Sequence, residues 1–186
     1  SIDDQAKYLA DGINVLLDSH GLETPFSIIA HSMGGLVSRQ YIYENPNTVA
    51  GLVTLGTPHH GSPLADSFQW AGFFINAADA VEDIKTTNVS QFNLQYPVNK
   101  MILTSNKRMY TIRGDADGLD SFGWAGELQL GWQILSRVHK TDNDGLVPHE
   151  SAVIDGADNI ADFPDYNHND LVRRPEVAKA AAAYLP

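Results

Sequence analysis

The run Ala30-His31-Ser32-Met33-Gly34-Gly35 follows the apolar stretch Phe26-Ser27-Ile28-Ile29 and precedes a helix-like segment from Leu36 to Tyr43. This order reads as strand, tight turn and helix, with a serine at the bend. A serine hydroxyl is a poor nucleophile until it is lifted clear of its neighbours and set beside a base, and a strand-to-helix elbow does the lifting. Such a turn needs small residues around the serine, which Ala30, Gly34 and Gly35 supply. The same geometry aims the Met33 backbone N–H and the positive end of the helix at an oxyanion forming on the substrate. The chemistry implied is acyl transfer through a serine ester.

A serine used this way needs a base and a group to orient the base, and both follow in the chain. Thr141-Asp142-Asn143-Asp144-Gly145 puts carboxylates on a turn, and Asp165-Tyr166-Asn167-His168-Asn169-Asp170 puts an imidazole in a polar loop before the final helix. The order Ser32, Asp144, His168 assigns the nucleophile to Ser32 and the proton transfers to His168. Asp144 would fix the imidazole tautomer, with Asp142 as its rival. The other histidines are His20, His31, His59, His60, His139 and His149. His31 adjoins the serine and is expected to face the wrong way to act as its base; His59 and His60 precede the acid. The His59-His60 pair lacks a spaced acidic partner, so an ordinary structural role outweighs metal binding there.

The elements that must position these groups are legible in outline. Ser1-Ile2-Asp3-Asp4 is a capped helix start, after which Ile2, Ala6, Leu9, Ile13 and Leu16 recur at helical spacing until Gly21. Asn45-Pro46 stops the helix after the elbow. Val49 to Leu55 is expected to be a buried parallel strand ending in Gly56-Thr57-Pro58, Arg108 to Gly114 another strand, and Pro175 to Leu185 a final helix. Alternating strands and helices imply an α/β protein, a mostly parallel sheet covered on both faces. Between positions 63 and 100, Phe68, Trp70, Phe73, Phe74 and Ile75 crowd together with no single buried face.

The 186 residues suit one domain, and no linker or repeat divides them. Twelve basic residues against 23 acidic ones give a net charge of −11, which disfavours nucleic acid and suits a neutral ester. The absence of cysteine rules out disulfides, thiolate metal sites and a cysteine nucleophile. No apolar run is long enough for a membrane span. Ser1 in place of methionine leads us to expect a processed or truncated product, from which a targeting segment has been removed.

Four stretches together resemble bacterial α/β-hydrolase-fold lipases and esterases: 30–35, Leu-Gly-Thr-Pro-His-His-Gly-Ser at 55–62, Asn-Asp-Gly-Leu-Val-Pro at 143–148 and Asn-His-Asn-Asp at 167–170. The resemblance implies a three-layer α/β-hydrolase fold in one domain, 1–186, with a lid-like insertion at about 63–100 that touches lipid surfaces. It implies hydrolysis of lipid or other apolar acyl esters by Ser32, Asp144 and His168, favouring Asp144 over Asp142, and it favours a secreted bacterial enzyme. A phospholipase or lipid deacylase, a thioesterase and a non-catalytic hydrolase-like binding fragment share these motifs. No cofactor is required; a structural calcium ion at Asp170, with Asp120 as second carboxylate, is a further expectation from the resemblance. The departure is at the front, where the strands that usually precede the elbow are missing. Met33 is then the only oxyanion donor in view, and a missing N-terminal segment, either truncated from this chain or supplied separately, is expected to complete the sheet.

Overall fold

The computed structural model describes residues 1–67, 78–104, 109–116 and 125–186. The elements in order are α1 (Ile2–Ser19), β1 (Phe26–His31), α2 (Gly34–Glu44), β2 (Val49–Leu55), α3 (Pro63–Asp66), α4 (Ala78–Asp83), α5 (Thr86–Gln95), β3 (Met109–Asp115), α6 (Ala125–Ile134), β4 (Ala157–Pro164), α7 (Asp170–Arg173) and α8 (Pro175–Ala182). The four strands form one parallel sheet in the order β1-β2-β3-β4.

Strand β2 is apolar but for Thr54 and is buried along its whole length, as a central parallel strand between two helical layers must be. Its alternate side chains feed two cores. On one face Leu52 meets Ile13 of α1 and Tyr41 and Ile42 of α2; on the other Val53 and Leu55 meet Leu171 of α7 and Val177 and Ala181 of α8. Fully burying side chains of this size is worth about 1.5–3 kcal/mol each, so β2 ties the layers together. Helix α1 begins with the expected capping box, Ser1 Oγ accepting from the Asp4 N–H. The face it buries, Ile2, Ala6 and Ile13, is narrower than its apolar spacing suggests, and Leu16 is exposed.

Helix α2 is buried from Gly35 to Ile42, polar Ser38, Arg39 and Gln40 included, because α1 and α5 cover the side turned away from the sheet. Gly35 is obligatory there: a Cβ on it would collide with the Thr57 side chain and come within 2.9 Å of Thr54 Cγ2. Within the stretch expected to be lid-like, α5 buries Val89 and Phe92 in the core shared with α1 and α2. The aromatic cluster Phe68, Trp70, Phe73, Phe74 and Ile75 lies outside the described residues, as do Arg108 and Asp120. Strand β4 has no counterpart in the sequence expectations. Its residues Ala157-Asp158-Asn159-Ile160-Ala161-Asp162-Phe163-Pro164 are half exposed at the sheet edge, so no apolar run marks them. Among the described residues no helix is long and apolar enough to cross a membrane.

Candidate active site

The sequence-nominated groups lie at the carboxyl ends of the parallel strands, where open α/β sheets gather their ligand-binding loops. The elbow follows β1. Ser32 has φ 55°, in the left-handed region that a non-glycine residue enters only at a cost. It is held there from two sides: its N–H donates to the Leu55 carbonyl at 2.9 Å, and its carbonyl accepts from Thr57 Oγ1 at 2.7 Å. Helix α2 begins directly afterwards, with Met33 at its cap and no side chain capping it.

Asp144 and His168 form a bonded pair. His168 Nδ1 donates to Asp144 Oδ2 at 2.7 Å, with both side chains almost wholly buried. The other carboxylate oxygen, Oδ1, accepts from the Leu146 and Val147 N–H groups at 3.0 and 2.8 Å. Three donors therefore converge on one carboxylate and fix its plane. The backbones are joined too, the His168 N–H donating to the Asp144 carbonyl at 2.8 Å. Asp142, the rival acid, is exposed. Gly56, after β2, lies between the elbow and this pair: its φ is 54°, and a Cβ would come within 2.9 Å of Asp144 Oδ2 and 3.2 Å of His168 Nδ1. Ser32 is linked to the pair through the backbone of 55–57 and through His31, whose ring lies 4.5 Å from that of His168.

Burial, reinforced by the His168 imidazole, pushes His31 down to about 4. His59 is completely buried and lies well below the usual histidine range, because of burial and then of Arg39 beside it. Arg39 Nη1 is 3.3 Å from His59 Nδ1, and a guanidinium can only donate, so Nδ1 accepts and Nε2–H donates to Thr54 Oγ1 at 3.0 Å. Arg39 also donates to the Tyr96 carbonyl at 2.8 Å and lies 5.1 Å from the Phe92 ring centroid. Burial pushes Arg39 down to about 10. His59 is thus a core histidine that braces the segment after β2, while His60 beside it is exposed.

Neutral buried histidines make stability depend on pH. An unfolded histidine takes up its proton near pH 6.5, whereas folded His31 resists until about 4. Between those values the unfolded chain binds more protons, so stability is complete above about 6.5 and declines as the pH falls toward 4. The carboxyls of Asp83 and Asp115, pushed up by partial burial, act in the opposite sense but are more exposed. We expect the midpoint of thermal unfolding to drop steadily from pH 7 to pH 4.5; a flat or rising midpoint would refute this.

Of the two carboxylates expected to hold calcium, Asp170 is described and Asp120 is not. Asp170 Oδ1 accepts from Arg174 Nε at 3.0 Å and its Oδ2 from the Asn167 N–H at 3.3 Å, so it ties the histidine loop directly. Among the described residues no group of three or more acidic or histidine side chains could hold a metal.

A parallel sheet between helical layers, with a serine elbow after one strand and a bonded carboxylate–imidazole pair after later ones, is the α/β-hydrolase fold. The chain belongs to the PGAP1-like alpha/beta domain family, which it matches over residues 1–115. Over 46 residues it is 48% identical to a triacylglycerol lipase of Pseudarthrobacter phenanthrenivorans, a stretch covering 25% of this chain and 14% of the lipase. Over 67 residues it is 45% identical to GPI inositol-deacylase B of Yarrowia lipolytica, covering 30% of this chain and 7% of that protein. The chain thus spans a small part of the length of these relatives. In three dimensions all of it overlays 75% of the mature form of the Bacillus licheniformis lipase BlEst2, with a TM-score of 0.78 and 24% sequence identity.

Two residues that sequence reasoning passed over matter here. Gly56 signalled itself only as part of Gly-Thr-Pro. His31 is expected from the sequence to face the wrong way to serve as the base, and its actual partner, the His168 carbonyl, is 137 positions distant.

Proposed function

We propose that the chain is a serine hydrolase acting on carboxylic esters of lipids or other apolar acyl groups. Ser32 attacks the ester carbonyl while His168 Nε2 accepts the hydroxyl proton. Asp144 holds Nδ1–H and stabilises the imidazolium. The Met33 N–H donates to the tetrahedral oxyanion, His168 returns the proton to the leaving alcohol, and water then hydrolyses the acyl-enzyme by the same route. The observation that carries this reading is the buried 2.7 Å bond from His168 Nδ1 to an Asp144 carboxylate already held by two backbone N–H groups.

The family and the deacylase-like stretch favour lipid deacylation, including removal of an acyl group from a glycolipid inositol, alongside acylglycerol hydrolysis. We also place completion of the site at the edge of the sheet. Strand β1 lies at that edge with Ile29 45% exposed, and a further strand paired there would cover apolar surface and bring a loop able to supply a second oxyanion N–H. Removing one oxyanion donor typically costs about 100- to 1,000-fold in turnover.

A fluorophosphonate probe tests the reading. We expect one-to-one labelling located on Ser32 by peptide mass analysis, and hydrolysis of p-nitrophenyl acyl esters that is lost in His168→Ala. An unlabelled Ser32 in the folded protein would overturn the assignment. Labelling without ester turnover would favour a hydrolase-like binding role with an incomplete oxyanion hole.

A further inference from the structure

The His168 peptide is anchored on both sides. Its N–H donates to the Asp144 carbonyl at 2.8 Å, and its own carbonyl lies 2.8 Å from Nε2 of His31. A carbonyl oxygen can only accept, so His31 Nε2 carries a proton and is the donor. The His31 and His168 rings also meet, with centroids 4.5 Å apart and planes inclined by 44°. His31 is the last residue of β1 and the immediate neighbour of Ser32. The first anchor therefore ties the imidazole to its acid, and the second ties it to the strand that carries the serine.

We propose that His31 is a positioning residue that registers the His168 imidazole against Ser32 through its Nε2–H bond to the His168 carbonyl and its ring contact. The proposal rests on the Ser32–His168–Asp144 reading above. Its physical need is clear: the acid loop sits beside the end of β3, where the Ala116 N–H donates to the Asn143 carbonyl, and the histidine loop follows β4, both on the far side of β2 from the elbow, and small displacements of a catalytic base are costly in rate. A neutral donor is the right kind of group for the task. A lysine or arginine here would oppose the imidazolium formed during proton transfer, whereas His31, kept uncharged at neutral pH by burial and by His168, donates without adding a cation. Asp144, which faces the pair from the acid loop, does not outweigh this.

The test compares His31→Phe, which keeps a ring but removes the donor, with His31→Gln, which restores a neutral N–H at similar reach. Both are measured in the full chain beside the unsubstituted protein, with folding monitored by circular dichroism. We expect His31→Phe to slow fluorophosphonate labelling of Ser32 and kcat on a short p-nitrophenyl ester by about 10- to 100-fold, the scale seen when a hydrogen-bond partner that orients a metal-binding histidine is removed. KM should stay unchanged, and His31→Gln should recover most of the loss. The low-field proton resonance of the His168 Nδ1–Asp144 bond should broaden in His31→Phe and sharpen again in His31→Gln. If His31→Phe fails to fold, His31→Ala against His31→Gln provides the same contrast. Equal rates in the donor-less and donor-bearing variants, or a loss confined to KM, would overturn the proposal. Failure of the unsubstituted protein to label would instead overturn the triad on which it rests.

Discussion

Asp144→Asn is expected to reduce ester turnover by about 10,000-fold while leaving the fold intact, the scale found when the orienting acid of a serine triad is amidated. The reason lies in the hydrogen-bond inventory around the carboxylate. Oδ1 accepts from the Leu146 and Val147 N–H groups, and Oδ2 accepts from His168 Nδ1. All three partners are donors, and the residue is 1% exposed, so water cannot repair a mismatch. An asparagine has one acceptor oxygen. If that oxygen stays with the two backbone N–H groups, the amide NH2 is turned toward Nδ1, which must then give up its proton and accept. The imidazole is thereby forced into the tautomer with Nε2 protonated, which has no lone pair for the Ser32 proton. The alternative rotamer keeps the imidazole correct but sets an NH2 against two buried N–H donors, a loss of about 1–3 kcal/mol for each group left unsatisfied. The wrong tautomer is therefore preferred. Steady-state kinetics with p-nitrophenyl esters checks the rate, and thermal unfolding checks the fold. Turnover within tenfold of the unsubstituted protein would mean that Asp144 does not orient the base.

How far the sequence was legible follows from where each element gets its stability. Strand β2 and helix α1 announce themselves, because their burial is written in a run that is apolar but for Thr54 and in helical spacing. Strand β4 does not: it is an edge paired to β3, its Asn159 and Asp162 bond to Thr111 and Arg113, and its Ile160, Ala161 and Phe163 are only partly buried against the core. Composition carries no trace of such pairing. The site divides in the same way. Ser32, Asp144 and His168 were nominated by residue types and order, but the bond between Asp144 and His168 depends on two loops brought together by the sheet. His31 shows the limit most clearly. Reasoning from its neighbour in the chain could ask only whether it points at Ser32, and its role is set by a contact with the histidine loop. Arg39 is a similar case: nothing local marks an arginine in a helix as fully buried, and only the His59, Tyr96 and Phe92 partners explain it.

Ser32→Gly is expected to raise stability and abolish activity together. At φ 55° a residue with a Cβ is held in a backbone conformation that glycine adopts freely, and the relief is worth about 1 kcal/mol. For a chain of this length that corresponds to an increase of about 2–4 °C in the midpoint of thermal unfolding. Ser32→Ala separates the two effects, since alanine removes the hydroxyl and keeps the Cβ. It should lose as much activity, on the order of a million-fold as for a deleted serine nucleophile, without the gain in stability. The backbone ties from Leu55 and Thr57 are common to all three proteins, because they bind the Ser32 N–H and carbonyl and not its side chain. The contrast therefore isolates strain at the elbow from the chemistry of the hydroxyl. Strain retained at a position where a glycine would be easier is explained if the hydroxyl must stand there to react. Parallel unfolding and turnover measurements on the two variants decide the matter. If glycine destabilised the protein as much as alanine, the elbow would be unstrained; if either variant kept its esterase rate, the nucleophile would lie elsewhere.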